Sequence, residues 1–242
     1  MTVELPANSD TGVTSYAGKR AQLSFSVADD SRNVSVTWEG FARKRLEAFL
    51  YYDQPADHES TVIVVPIKGE RFYYNRKINC MPVTGKITVG DTITTVEPAT
   101  SSGNLDWGRG VWAYDSFWVW ASASGFLADG RRVGLNLGYG FGDTSAATEN
   151  TLLLDARIHK LGVVEFEYRD ADFMAPWRMR SDRVDLEFTP FLERTAKTNL
   201  ALIRSEVHQM FGHYAGTVAD DAGNDITIEG LIGWAEEHQA RW

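Results

Sequence analysis

The sequence predicts an all-β protein, either an antiparallel barrel or a two-sheet sandwich, with little helix. Apolar and polar residues alternate over several segments, as at Leu23, Phe25 and Val27, which share one face of a half-buried strand. Turn residues recur at close spacing, such as Gly90-Asp91 between two strand-like runs. Helical spacing of apolar residues is rare. Short strands separated by turns are typical of sandwiches and barrels.

The other strands follow from the same alternation. From Glu39 to Asp53 the apolar residues fit a helical or a strand face, and we favour a strand because Tyr51-Tyr52 precede a proline-containing turn. The closing segment, Leu231 to Trp242, is the one candidate for a short helix. The remaining predicted strands are Asn33 to Glu39, Thr61 to Ile67, Arg71 to Cys80, Lys86 to Val89, Thr92 to Val96, Val163 to Tyr168, Arg183 to Thr189, Glu206 to Val218 and Asp225 to Trp234.

Length and composition predict one globular unit. The chain has 242 residues, of which 43% are hydrophobic, enough for a substantial core. Residues 1–18 are rich in Ser, Thr, Asn and Gly and are predicted to form a loosely ordered arm. Residues 19–242 are predicted to form a single β domain.

The charge balance and the single cysteine argue against several kinds of partner and site. A formal net charge of −9 disfavours nucleic acid and anionic membranes as partners. No apolar run approaches the ~18 residues of a membrane span, and no leader pattern is evident, so we expect no membrane insertion and a cytoplasmic location. Cys80 cannot form an intrachain disulfide, and we expect a buried, unreactive thiol. We predict no structural zinc, no other metal and no cofactor.

The stretch from Asn104 to Asn150 contains the candidate ligand-binding residues. Four of the eight tryptophans lie between Trp107 and Trp120, and buried indoles need both space and a partner for the N–H. These rings either line a ligand cavity or fill an aromatic core. Gly134 and Gly138 flank Asn136 on one strand face, which favours a cavity. The predicted ligand-binding residues are Trp107, Arg109, Trp112, Trp118, Trp120, Asn136 and Tyr139.

Asp106 and Glu149 are the candidate catalytic residues. In an apolar, indole-lined site, a carboxylate either becomes a general acid or pairs with a cation and stays charged. Asp106 could therefore form a structural pair with Arg109, or leave Arg109 to anchor a ligand carboxylate or phosphate. Glu149 could oppose Asp106 as an acid or base, or simply stabilise a turn.

Six stretches of the sequence carry a family resemblance: Tyr74-Asn75-Arg76-Lys77, Asp106-Trp107-Gly108-Arg109-Gly110-Val111-Trp112, Gly134-Leu135-Asn136-Leu137-Gly138-Tyr139-Gly140, Ala146-Ala147-Thr148-Glu149-Asn150, His159-Lys160-Leu161 and Gly233-Trp234-Ala235-Glu236. Together they resemble the domain of unknown function 2804. A more distant similarity runs to lipocalin-like proteins of the carotenoid 1,2-hydratase type, which implies a lipocalin-like barrel or sandwich. Leu105 stands where that type has a histidine before Trp-Gly, so hydratase chemistry is not carried over.

Three functions fit these residues. The first is a module that binds a small apolar or amphipathic molecule in a Trp-lined cavity without turnover. The second is a hydratase or isomerase that uses Asp106, with Glu149, as acid and base. The third is a carbohydrate-active protein in which the same two carboxyl groups flank a glycosidic bond. The sequence makes no prediction of the oligomeric state.

Overall fold

Strands are the only regular secondary structure in the residues that the structure describes. The computed structural model describes residues 6–28, 30–200 and 203–241, and within them it has seventeen strands and no helix. The neighbouring strands of its largest sheet run antiparallel to one another. The predicted all-β, antiparallel, lipocalin-like fold class is therefore confirmed. The same residues contain no helix with the length and hydropathy to cross a membrane.

The strands are numbered in chain order. The first eight are β1 (Gly12–Ala17), β2 (Ala21–Ala28), β3 (Ser31–Phe41), β4 (Lys44–Asp53), β5 (Thr61–Ile67), β6 (Arg71–Val89), β7 (Thr92–Val96) and β8 (Ser102–Val111). The other nine are β9 (Asp115–Phe126), β10 (Arg132–Tyr139), β11 (Thr151–Leu154), β12 (Arg157–Lys160), β13 (Glu165–Glu167), β14 (Trp177–Arg180), β15 (Val184–Leu200), β16 (Ile203–Ala219) and β17 (Asp225–Arg241).

The described chain divides into two compact units. The first comprises residues 6–58 and 81–103. Its strands pair in the order β1, β2, β3, β4, β6 and β7, with β6 contributing its second half. The predicted strand between Glu39 and Asp53 is confirmed as the end of β3 and all of β4, joined by a tight turn with positive φ at Ala42 and Arg43.

The second unit comprises residues 59–80 and 104–241 of the described chain. Its main sheet has nine strands in the order β12, β11, β10, β9, β17, β16, β15, β14 and β13. The first half of β6 pairs with β5, and β8 also pairs with β6. The core of this unit contains Trp177, Phe188 and Tyr214, which are fully buried. The Tyr214 hydroxyl donates to the Trp234 carbonyl at 2.6 Å, which satisfies the one polar atom of that ring.

The short helix predicted from Leu231 is wrong. Residues up to Arg241 belong to β17, which pairs with β16 on one side and β9 on the other. Two full ladders of backbone hydrogen bonds outweigh the local helical spacing of a few apolar residues, because tertiary context commonly overrides weak propensities. Trp242 lies outside the described residues.

Of the predicted N-terminal arm, residues 12–17 form β1, which pairs with β2 from Gly12 to Ala17. Residues 1–5 of the arm lie outside the described residues. The division into an arm and a single domain from residue 19 stays a prediction.

Candidate functional site

A cavity of about 150 Å³ lies within the second unit. Its wall is formed by alternate residues of several strands, because side chains two apart on a strand share a face. β6 contributes Tyr73, Asn75 and Lys77, and β9 contributes Trp118 and Trp120. Three acidic residues on the wall come from β8, from the loop before β11 and from β17: Asp106, Glu149 and Glu236.

Lys77 is the central polar group of the cavity. Its side chain is 6% exposed, and its Nζ lies 2.6 Å from Asp106 Oδ1 and 3.9 Å from Glu149 Oε2. The same ammonium lies 4.1 Å from the centre of the Trp120 ring, a cation–π contact. Burial by itself lowers the pKa of Lys77, but the charges of Glu149 and Asp106 outweigh that effect and raise the pKa above its usual value. Lys77 is therefore a permanently charged group at neutral pH.

Glu149 is held from two sides. Asn75 Nδ2 donates to Glu149 Oε2 at 2.9 Å, and Asn136 Nδ2 donates to the Glu149 carbonyl at 2.9 Å. A Cβ on Gly138 would lie 3.0 Å from Glu149 Oε1. The strand glycine therefore leaves the space that the carboxylate occupies.

Glu236 has a different environment from the two carboxylates beside Lys77. It is 8% exposed. Trp118 Nε1 donates to its Oε1 at 3.1 Å and Gln209 Nε2 donates to its Oε2 at 2.8 Å, so both partners are neutral. Burial raises the pKa of Glu236, against smaller lowering effects of the two hydrogen bonds and of Lys77 and a raising effect of Asp106. Glu236 therefore holds its proton to a higher pH than an ordinary glutamate does.

Aromatic rings form the rest of the wall. Phe141 packs edge-on against Tyr73 at 4.8 Å, Trp118 at 5.2 Å and Trp112 at 5.4 Å between ring centres. Burial raises the pKa of Tyr73 to about 12, so its hydroxyl stays protonated at neutral pH. These edge-to-face contacts fix the orientation of the rings around the space.

The structure brings together most of the residues predicted from the sequence. Asp106 and Glu149 meet at one ammonium, and Trp118 and Trp120 share a strand face as expected. The predicted residues that line the cavity are Asp106, Trp112, Trp118, Trp120, Tyr139 and Glu149.

Three predicted ligand-binding residues do not line the cavity. Trp107 follows Asp106 on β8, so it points to the opposite face, where it packs against Tyr74 at 5.7 Å. Arg109 is exposed on the same strand. Asn136 is buried behind the wall, where it accepts a hydrogen bond from Trp120 Nε1 at 2.8 Å. Asn136 thus positions Trp120 and Glu149 for the cavity.

Sequence reasoning missed Lys77, Asn75, Tyr73 and Glu236. A signal was present, because the alternation of Tyr73, Asn75 and Lys77 is visible in the sequence and Glu236 ends the last stretch of the family resemblance. Five of the six stretches that carry the resemblance contribute at least one residue to the cavity wall.

Glu236→Gln is expected to change how stability depends on pH. Because the pKa of Glu236 is raised on folding, the folded state binds a proton more readily than the unfolded state. Wild-type stability should therefore fall relative to the variant as pH rises from ~4.5 towards the folded-state pKa, by at most about 1.4 kcal/mol per pH unit. Urea unfolding of both proteins between pH 4 and 8 measures the difference. A difference that stays constant across this range would contradict the raised pKa.

Comparisons with known proteins place the chain in a family. No curated protein matches it. A crystal structure of CghA with Sch210972 is similar, with 13% identity, a TM-score of 0.49 and coverage of 95% of this chain and 70% of that chain. A second CghA structure has 14% identity, a TM-score of 0.45 and the same coverage. Kievitone hydratase from Nectria haematococca has 13% identity, a TM-score of 0.41 and coverage of 100% of this chain and 71% of that chain. The family model of the domain of unknown function DUF2804 matches residues 1–242, and the chain therefore belongs to this family, as the sequence predicted.

Proposed function

We propose that the protein binds a small, largely apolar molecule with one polar group in the cavity of the second unit. The main support is the lining of that cavity. Its walls are aromatic and include Trp112, Trp118 and Trp120, and they surround one buried ammonium, that of Lys77, with its neighbouring carboxylates. Apolar walls with a few convergent polar groups are the usual composition of a small-molecule site.

The volume and charge of the cavity restrict the kinds of ligand that it can bind. A space of about 150 Å³ is the size that accepts a benzene ring, so a ligand fits whole or inserts one ring. Asp106 and Glu149 together outweigh the single charge of Lys77, so a ligand carboxylate or phosphate would meet net negative charge. A neutral polar group, such as a carbonyl or hydroxyl, is the better match.

Acetophenone, a neutral aromatic ketone, is a suitable first probe. We expect it to shift the indole N–H signals of Trp112, Trp118 and Trp120 in ¹H–¹⁵N NMR spectra, while the signals of Trp38 in the first unit and Trp177 in the core stay in place. Trp118→Ala should weaken binding at least about 10-fold because it removes a wall of the site. Trp38→Ala, at an exposed tryptophan, is the matched control and should leave the affinity unchanged. Equal shifts at all indoles, or none at saturating probe, would refute a specific site.

Native mass spectrometry of protein purified from its host is the complementary experiment. A co-purified molecule that is released on denaturation, and that is absent from the Trp118→Ala variant, would identify the natural ligand. A molecule retained by that variant would be bound elsewhere.

A second candidate function is acid–base catalysis of the hydratase or isomerase kind. It is favoured by the meeting of Asp106 and Glu149 at Lys77, because carboxylates that line one cavity can exchange protons with a bound molecule. Asp106→Asn should then abolish turnover of the co-purified molecule, whereas a pure binding module should yield no product on long incubation. The carbohydrate-active alternative is less well supported, since Lys77 lies between the two carboxylates where a glycosidic bond would have to lie.

We also propose a reducing, cytoplasmic compartment for the protein. Cys80 is fully buried and free, and burial raises the pKa of its thiol to about 11. A protonated, inaccessible thiol as the sole cysteine suits a protein that depends on no disulfide.

A further inference from the structure

The cavity holds carboxyl groups in two contrasting environments. Asp106 Oδ1 is tied to a buried ammonium, and Asp106 makes no other polar contact within the described chain, so its Oδ2 remains available as a proton acceptor. Glu236 receives hydrogen bonds only from neutral groups and is nearly enclosed. Pairs of titratable groups whose surroundings favour opposite protonation states are the usual mark of an acid and a base at one site.

We propose that the cavity catalyses enolisation of a small neutral carbonyl compound, with Asp106 as the base and Glu236 as the acid. This inference rests on the proposed binding of a small, largely apolar molecule and adds a reaction to it. A carbonyl compound also fits the charge balance, because its oxygen is a neutral acceptor and its α-carbon carries the proton to be removed.

The step is balanced within the site. Asp106 takes a proton from the α-carbon, and the C–H electron pair becomes the new C=C bond. The carbonyl π pair moves to oxygen, which takes the proton of Glu236, so a neutral enol forms without a co-reactant. Return of a proton from Asp106 to either face of the α-carbon uses the C=C electron pair, and the hydroxyl proton returns to Glu236 as the C=O bond re-forms, which regenerates a carbonyl compound and both groups.

Lys77 has a supporting role in this scheme. Its ammonium lies 2.6 Å from Asp106 Oδ1, so it holds that carboxyl group in place on the cavity wall. Lys77 and Asp106 are the charged groups that act on Glu236 across the cavity, and their effects on its protonation oppose one another. The protonated state of Glu236 therefore depends on its burial, which raises its pKa and outweighs the lowering effects of the hydrogen bonds from Trp118 and Gln209.

Deuterium exchange into acetophenone tests the proposal directly. In D₂O, the methyl ¹H signal of the ketone should disappear at least about 100-fold faster with the protein than in buffer. Glu236→Gln and Asp106→Asn should each slow this exchange at least about 10-fold. Glu236→Asp, which restores a carboxyl group, should recover part of the rate. The rate should depend on pH as a bell, and Glu236→Gln should remove the fall on its alkaline side.

Glu237→Gln is the matched control. Glu237 is the next residue of β17 and is also 8% exposed, but it faces away from the cavity and accepts a hydrogen bond from Tyr168. Its variant should exchange the ketone at the wild-type rate. Equal losses in the Glu236→Gln and Glu237→Gln variants, both shown to be folded by circular dichroism, would overturn the role of Glu236.

The outcomes separate this proposal from the proposed binding. If acetophenone shifts the cavity indole signals and no exchange is catalysed, the enolisation proposal is overturned and the binding site stands. If acetophenone does not shift those signals and its methyl hydrogens do not exchange faster than in buffer, both proposals fail.

Discussion

Asp106→Asn is expected to lower the free energy of unfolding by about 2 kcal/mol, because it leaves the buried Lys77 ammonium without its close partner. Removal of one member of a fully buried ion pair costs about 3–5 kcal/mol. The expected loss is smaller here because the Asp106 side chain is 43% exposed and Glu149 remains 3.9 Å from the ammonium. Urea unfolding at neutral pH gives the measurement.

A double variant isolates the charge as the cause. Lys77→Met combined with Asp106→Asn removes both charges, and it should recover most of the loss because methionine fills the same apolar space without a buried charge. Asp115→Asn is the matched control, since Asp115 makes an ion pair of similar length with Arg241, 2.7 Å, but with its side chain 66% exposed. Exposed pairs contribute about 0–1 kcal/mol. Equal losses at Asp106 and Asp115 would show that burial of Lys77 does not govern the effect.

Asn136→Leu is expected to lower the free energy of unfolding by about 3 kcal/mol. Asn136 is 1% exposed, accepts from the Trp120 indole and donates to the Glu149 carbonyl. Leucine of similar size would leave both groups without partners, and each unsatisfied buried group costs about 1–3 kcal/mol. Asn33→Leu, at an exposed position of β3, is the control and should change stability by less than about 0.5 kcal/mol.

The same variant tests whether Asn136 positions its neighbours or contacts a ligand. With both side-chain groups bonded within the protein, Asn136→Leu should lower the affinity for acetophenone only through displacement of Trp120 and Glu149. The indole N–H signal of Trp120 should then move in the free protein, before any probe is added. An unchanged Trp120 signal together with lost binding would instead indicate direct contact with the ligand.

The sequence predicted the fold class well because alternation is a local property of each strand. It predicted strand lengths less well, since β6 has 19 residues and β15, β16 and β17 have 17 each. Register shifts within these strands let them continue through residues that are typical of turns. Gly216 is one example: its positive φ and a shift in register allow β16 to bend without ending.

Site residues that are close together in the sequence were predicted more readily than residues that distant strands bring to the cavity. Trp118 and Trp120 are two residues apart, so their shared face is evident from spacing alone. Lys77 and Glu236 lie far apart in the sequence, and no local pattern shows that both line one cavity. In addition, the apolar residues around Glu236 have helical spacing, so its segment was considered a candidate helix and the face of a strand on which Glu236 lies was not predicted.

The indole N–H groups of Trp118 and Trp120 are both bonded within the protein, to Glu236 and Asn136. Their rings can therefore offer a guest only π faces and C–H edges, which recognise shape and polarisability rather than hydrogen-bonding pattern. Selectivity along these two rings is thus steric. Closely similar molecules that differ only in a polar substituent must be told apart by the polar groups of the cavity, which include Lys77, Glu236 and the Tyr73 hydroxyl.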